Sequence, residues 1–214
     1  MILPQSHTLT TRHLNRVFDN TVATYKYYWF LGILDACVKQ GKSRINVWDI
    51  MISMVANAWY PVNYFRLSFG KSESLYDAII TLQREYNIPI NISINELTEL
   101  LQILIQRSEV RRLLNFLQMN VPFRFLRPWI DTSDDKQTVL RSQTFENGCL
   151  YKLEKIDRIW WIELNPAWLP YLRENYDILT SFAYWGLTNF LQVRNPNVPN
   201  IPNKLIKREE RSSL

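Results

Sequence analysis

Four side chains in this sequence are of the types that ordinarily bind zinc or act as nucleophile and base: His7, His13, Cys37 and Cys149. A Ser-His-Asp or Cys-His device needs a histidine within hydrogen-bond reach of its nucleophile, and both histidines lie in the first 13 residues, where a mobile terminus is expected. A zinc site needs about four nitrogen or sulfur ligands, and these four are scattered. Asp134-Asp135-Lys136 offers the Asp-x-Lys of a metal-dependent nuclease, but it falls in an expected loop with no strand to fix the carboxylates, so a solvated turn is the plainer account. Only five glycines occur, against about 15 at ordinary usage, and no Gly-rich phosphate loop or dinucleotide fingerprint is present. The expectation is a chain with no catalytic residue, no metal site and no cofactor of its own.

The chemistry that remains is electrostatic. Net charge is +5, and it is concentrated. Residues 106–130 hold Arg107, Arg111, Arg112, Arg124 and Arg127 against Glu109 alone, and residues 194–214 hold Arg194, Lys204, Lys207, Arg208 and Arg211 against Glu209 and Glu210. Such excess suits a polyanion partner; the alternative is a solvated helix face and a solubilising tail. Pro122-Phe123-Arg124-Phe125-Leu126-Arg127-Pro128-Trp129 interleaves guanidinium groups with rings that stack on bases or pack in a core. On the residues alone, core packing is favoured. In the aromatic turn at residues 59–66, Tyr60, Asn63 and Arg66 are the candidates for a surface role.

The elements that position these residues are mostly helices. Val22, Trp29, Phe30, Ile33, Leu34, Cys37 and Val38 recur at three- and four-residue intervals, predicting a helix over 20–39 with Asp19, Asn20 or Thr21 as its cap. Asn46-Val47-Trp48-Asp49 opens a second helix that Pro61 should stop, because proline has no N–H to donate. A third follows Ser72 and ends near Pro89. Ser93-Ile94-Asn95-Glu96 matches a capping box ahead of a fourth. A fifth, with Ser108 as a candidate cap, should end at Pro122; Arg107 and Arg111 share its face only if the helix runs through Ser108.

After Asp131 the polar run Asp131-Thr132-Ser133-Asp134-Asp135-Lys136 predicts a boundary. Residues 149–153 and 159–162, joined by 154–158, read as a β-hairpin. Asn165-Pro166 caps a helix pair over 167–175 and 176–192. Prolines at every third position over 196–202 predict an extended tail, poor in helix. Met1-Ile2-Leu3-Pro4-Gln5-Ser6-His7 lacks a basic n-region and an apolar h-region. The longest apolar run, at residues 27–34, is far below the roughly 18 residues of a membrane span. A cytoplasmic protein with two reduced thiols and no membrane partner is therefore expected.

Several stretches carry a resemblance: Phe18-Asp19-Asn20-Thr21 with Tyr25-Lys26-Tyr27-Tyr28-Trp29-Phe30-Leu31, residues 58–71 (AWYPVNYFRLSFGK), 121–129 (VPFRFLRPW), 165–179 and 194–207 (RNPNVPNIPNKLIK). In their order they resemble the N-terminal region of bacterial HNH-endonuclease-domain proteins. In that family a nuclease module with an Asp-His pair and a later Asn follows a segment similar to the C-terminal part of this chain. No histidine occurs after His13, so no catalytic position is carried over. The resemblance implies a nuclease-associated region that positions DNA or contacts a partner protein.

Together these readings predict a mainly α protein: a helical, bundle-like domain with a small β-hairpin in the C-terminal third and an extended Pro/Asn-rich tail. They divide it into a helical part at 1–130, a mixed part at 131–193 and a basic tail at 194–214. The expected function is a non-catalytic DNA-binding or targeting region of an HNH-type endonuclease, in restriction or phage defence. The partners are DNA and a partner protein or nuclease module. Arg107, Arg111, Arg112, Arg124, Arg127, Lys204, Lys207 and Arg208 are expected to neutralise phosphates. The alternative is a protein-interaction scaffold with no nucleic-acid role, in which aromatic residues and arginines anchor an interface.

Overall fold

The computed structural model describes residues 3–6, 9–19, 21–71 and 73–206. The protein is mainly helical. After a single turn, α1 (Arg12–Asn15), the chain enters α2 (Tyr25–Leu34), in which every residue but Lys26 is buried. A helix that is apolar all round belongs at the centre of its fold, and α2 packs against α3 (Val47–Asn63), α6 (Ser108–Phe125) and α9 (Tyr176–Arg194).

The expected cap of this helix is corrected. It begins at Tyr25, five residues later than the pattern predicted; Asn20 lies outside the described residues, and Asp19 pairs with Arg16. A carboxylate distant in sequence does the capping. Thr24 donates its N–H (3.1 Å) and its hydroxyl (2.7 Å) to Glu73 Oε1, while Glu73 Oε2 accepts from the Tyr76 N–H (2.9 Å) at the start of α4 (Ser74–Glu85). One buried side chain thus joins the starts of two helices. At its other end α2 widens into a π turn, Asp35–Lys39, with Gln40 N–H on the Asp35 carbonyl.

Local signals explain the next helices in part. Asn46 accepts from the Trp48 N–H (2.9 Å) and caps α3, and the capping box Ser93/Glu96 forms at α5 (Ile94–Leu104). Both proline stops are corrected: α3 runs past Pro61 to Asn63, and α6 past Pro122 to Phe125. Each proline sits in the last turn, where only one helical hydrogen bond is forfeited, and each is buried. Ser108 is the first residue of α6 and not its cap; Arg107 holds the cap position in extended backbone without a side-chain bond.

The loop expected at Asp134-Asp135-Lys136 is corrected to the start of a helix. Asp134 accepts from the N–H groups of Lys136 (2.8 Å) and Gln137 (3.4 Å) and caps α7 (Asp135–Ser142). The hairpin is present, as β2 (Tyr151–Ile156) and β3 (Ile159–Leu164) paired antiparallel. Its turn is only Asp157-Arg158, both at positive φ (48° and 67°), the left-handed pair that suits the twist of a two-residue hairpin. A third strand, β1 (Arg44–Asn46), pairs antiparallel with the other edge of β3, giving the order β1-β3-β2.

Asn165 Oδ1 accepts from the Ala167 N–H ahead of α8 (Trp168–Glu174), and α9 follows. In the tail, residues 196–200 are non-helical, as the prolines require. Asn200 then turns through φ 55° into a short helix, α10 (Ile201–Leu205), whose Ile201 and Leu205 are buried. One hydrophobic cluster extends from Leu3 to Leu205 and takes residues from both sides of position 130. Cys37 and Cys149 are buried free thiols, and burial pushes the Cys149 thiol up to about 12. Among the described residues no helix is long and apolar enough to cross a membrane.

Candidate nucleic-acid interface

The arginines predicted to act together lie on different sides of α6. Arg107 precedes the helix, with its guanidinium over the Tyr86 ring (5.4 Å). Arg111 turns instead to Trp48 (5.6 Å), its Nε donating to the Ile105 carbonyl (2.8 Å) and its Nη2 to Gln106 Oε1 (3.2 Å). The helix does include Ser108, which is not its cap, and the Arg111 N–H reaches the Arg107 carbonyl (3.1 Å), but Arg107 itself is in extended backbone and the two guanidinium groups lie over different rings. Arg112 is exposed beside Arg111 and lines the same concavity. Arg124 is 13 residues beyond Arg111, about 20 Å along the axis and about 220° around it at helical geometry.

Arg124 belongs to a second cluster. Its Nη1 donates to the Tyr25 hydroxyl (3.2 Å), and it lines a concavity of about 340 Å3 together with Lys71, Arg194, Phe116 and Glu73. Arg194 closes α9, where its guanidinium lies 3.5 Å from the centre of the Phe190 ring and its Nη1 donates to the Phe190 carbonyl (2.9 Å). Gly70, at φ 113°, admits this approach: a Cβ there would stand 3.0 Å from Arg194 Nε. Asn195 fixes the junction by accepting the Ser68 N–H (2.8 Å) and donating Nδ2 to the carbonyls of Ser68 (2.9 Å) and Leu191 (2.8 Å).

Lys26 and Arg127 extend the cluster. Burial lowers the Lys26 ammonium from its ordinary value, and the charges of Arg127 and Arg124 lower it further, against an opposing contribution from Asp19. Among the described residues, none of Lys26, Lys71, Arg124, Arg127 and Arg194 is in an ion pair. The nearby carboxylate, Glu73, is 4% exposed and occupied by the N–H and hydroxyl of Thr24 and the N–H of Tyr76. Three cations, Lys71, Arg124 and Arg194, therefore line one concavity outside any ion pair among the described residues, with Lys26 and Arg127 in electrostatic reach of Arg124 and with Asp19 as the opposing charge at Lys26; Phe116, 48% exposed, offers a ring at the rim.

Of the predicted tail cations, Lys204 bonds the Pro199 carbonyl and lies over the Phe65 ring (5.4 Å); Lys207 and Arg208 lie outside the described residues. In the aromatic turn, Tyr60 stacks on Tyr64 (4.5 Å), Arg66 is exposed and Asn63 is buried. Asp134, weighed above as a metal ligand, is occupied as a helix cap. Among the described residues no group of three His, Cys, Asp or Glu side chains is placed to hold a metal. A concavity of about 520 Å3 beside the π turn is lined by two ion pairs, Lys39 with Asp35 (2.9 Å) and Lys42 with Asp49 (3.4 Å), and by Glu99, and so carries no cationic excess.

Lys26 and Lys71 were missed as site residues because neither lies in a basic stretch, and Arg194, although counted in the basic excess of 194–214, was not singled out because the tail was expected to act as a unit. The signal was Gly70-Lys71, a glycine beside a lysine in a loop. Comparison with family models, with curated proteins and with solved structures finds no match.

Proposed function

We propose that this chain is a non-catalytic DNA-binding region that grips the phosphate backbone with Lys26, Lys71, Arg124, Arg127 and Arg194. The observation that supports it is the concavity lined by Lys71, Arg124 and Arg194, with Lys26 and Arg127 beside Arg124 and none of the five in an ion pair among the described residues. Phosphate contacts of this kind position a protein on the duplex without reading its sequence. The resemblance to the region preceding an HNH module supports service to a nuclease, in restriction or phage defence.

The test is a titration of duplex DNA at several salt concentrations. Log affinity should fall with log salt at a slope of about −4.5 if all five cations neutralise phosphates, at roughly −0.9 for each. Lys71 and Arg127 are exposed and make no hydrogen bond within the described chain, so Lys71→Ala with Arg127→Ala should reduce the slope by about 2 in magnitude. Binding that is insensitive to salt overturns the proposal.

A protein-interaction scaffold is the second reading, and it is favoured by α9, where Ile178, Trp185 (56% exposed) and Val193 are exposed along one side of the helix. That reading requires no DNA binding even at low salt.

A further inference from the structure

The other side of α6 borders a separate concavity of about 490 Å3, bounded by the Trp48 indole and the β2–β3 turn, within the roughly 300–1,000 Å3 usual for small-molecule sites. Arg111, Arg112 and Arg158 all line it, against one lining carboxylate, Asp157. Among the described residues none of the three arginines is in an ion pair. Arg111 is already fixed by the Ile105 carbonyl, Gln106 and the Trp48 ring, so little orientational freedom remains to be lost on binding. The N-terminus of the 18-residue α6, which has no side-chain cap, adds partial positive charge where Ser108 borders the same space. The Ser108 hydroxyl itself is engaged with Glu109 (3.2 Å).

A second, independent feature lies further along the helix. Gln118 lines the concavity, is 6% exposed, and its Oε1 has no hydrogen-bond partner. A buried acceptor without a donor is costly, and rotation of the Gln118 amide toward the concavity it lines would let a ligand N–H or O–H relieve it. We propose that this concavity binds a phosphate monoester, with the phosphate on Arg111, Arg112 and Arg158 and a donor of its carrier bonded to Gln118. Three guanidinium groups against one carboxylate leave an excess that matches a dianion better than the single charge of a backbone diester. A free nucleotide and the 5′-phosphorylated end of a strand share this chemistry, and neither requires the DNA-backbone face at Arg124.

Calorimetry on the full chain tests the site with AMP, adenosine, inorganic phosphate, and one short single strand with and without a 5′-phosphate. AMP should bind and adenosine should not. Affinity for AMP should fall as pH drops through about 6, where the monoester takes up its second proton. Arg112 and Arg158 are exposed, so Arg112→Ala and Arg158→Ala test binding without disturbing the core, and each should weaken AMP by about tenfold, the scale of one charge-assisted contact. Gln118→Leu should weaken AMP but leave inorganic phosphate unchanged. A phosphorylated strand that binds better than its unphosphorylated counterpart, with the difference lost in Arg158→Ala, identifies a strand end as the source; AMP binding without that difference identifies a free nucleotide. Equal binding of adenosine and AMP, indifference of AMP to both arginine variants, or no binding of any phosphate probe at about 1 mM overturns the proposal.

Discussion

Arg124 Nη1 donates to the Tyr25 hydroxyl across 3.2 Å, tying the last turn of α6 to the first residue of α2. The bond orients a cation that has no carboxylate partner, so its value lies in aim. Tyr25→Phe keeps the buried ring and removes only that aim. DNA affinity should fall by about two- to tenfold, the equivalent of one hydrogen bond, while the thermal midpoint stays within a few degrees of wild type. A fall in the midpoint large enough to account for the lost affinity would show the bond to be structural.

Asn195 joins the end of α9 to the loop carrying Gly70 through one acceptor and two donors. Asn195→Asp preserves size but removes both donors and sets a carboxylate against the carbonyls of Ser68 and Leu191. The residue is buried, so the loss should be about 2–3 kcal/mol in urea unfolding. Because Arg194 is the adjacent residue, DNA affinity should fall as well. An unchanged unfolding midpoint would count against this role for Asn195.

Glu73 gives the molecule a pH dependence of its own. Burial raises its carboxyl above the ordinary value of 4.5, against the donors of Thr24 and Tyr76, which lower it. The folded state therefore holds the proton more tightly than the unfolded chain, and stability falls as pH rises from 4.5 through the raised value. In Glu73→Gln that dependence disappears. The stability difference between wild type and variant, measured by urea unfolding from pH 4 to pH 7, should slope in the direction that favours wild type at the acid end. A difference that is flat with pH overturns the assignment.

What was legible in the sequence was local. Ser93 and Glu96 form their capping box from four consecutive residues, and the β2–β3 hairpin needs only neighbouring strands. The elements that escaped have causes elsewhere in the chain. The start of α2 is set by Glu73, 49 residues beyond Thr24, and β1 is three residues long, too short to alternate, and exists because β3 offers it an edge. Pro122 is tolerated inside α6 while its carbonyl accepts the Tyr151 hydroxyl (2.6 Å), a contact that no spacing rule contains. The site divides in the same way. Arg124 and Arg127 stood out within one aromatic-basic stretch, whereas Lys71 and Arg194 meet Arg124 at one concavity across more than 120 residues of chain, where Asn195 bonds Ser68.

Lys26 reports directly on the proposed interface. Burial, then Arg127, then Arg124 lower its ammonium below the ordinary 10.5, so between the lowered value and 10.5 the unfolded chain binds more protons and stability rises with pH. A polyanion laid across the cluster reverses the two Coulombic contributions in kind, because each phosphate favours the protonated amine. DNA binding should therefore raise the Lys26 pKa, and at alkaline pH it should draw protons from solution, visible as a buffer-dependent binding enthalpy. Arg127→Ala should raise the Lys26 pKa in the free protein and shrink the proton uptake. If the Lys26 resonance titrates identically with and without DNA, the phosphates do not lie on this face.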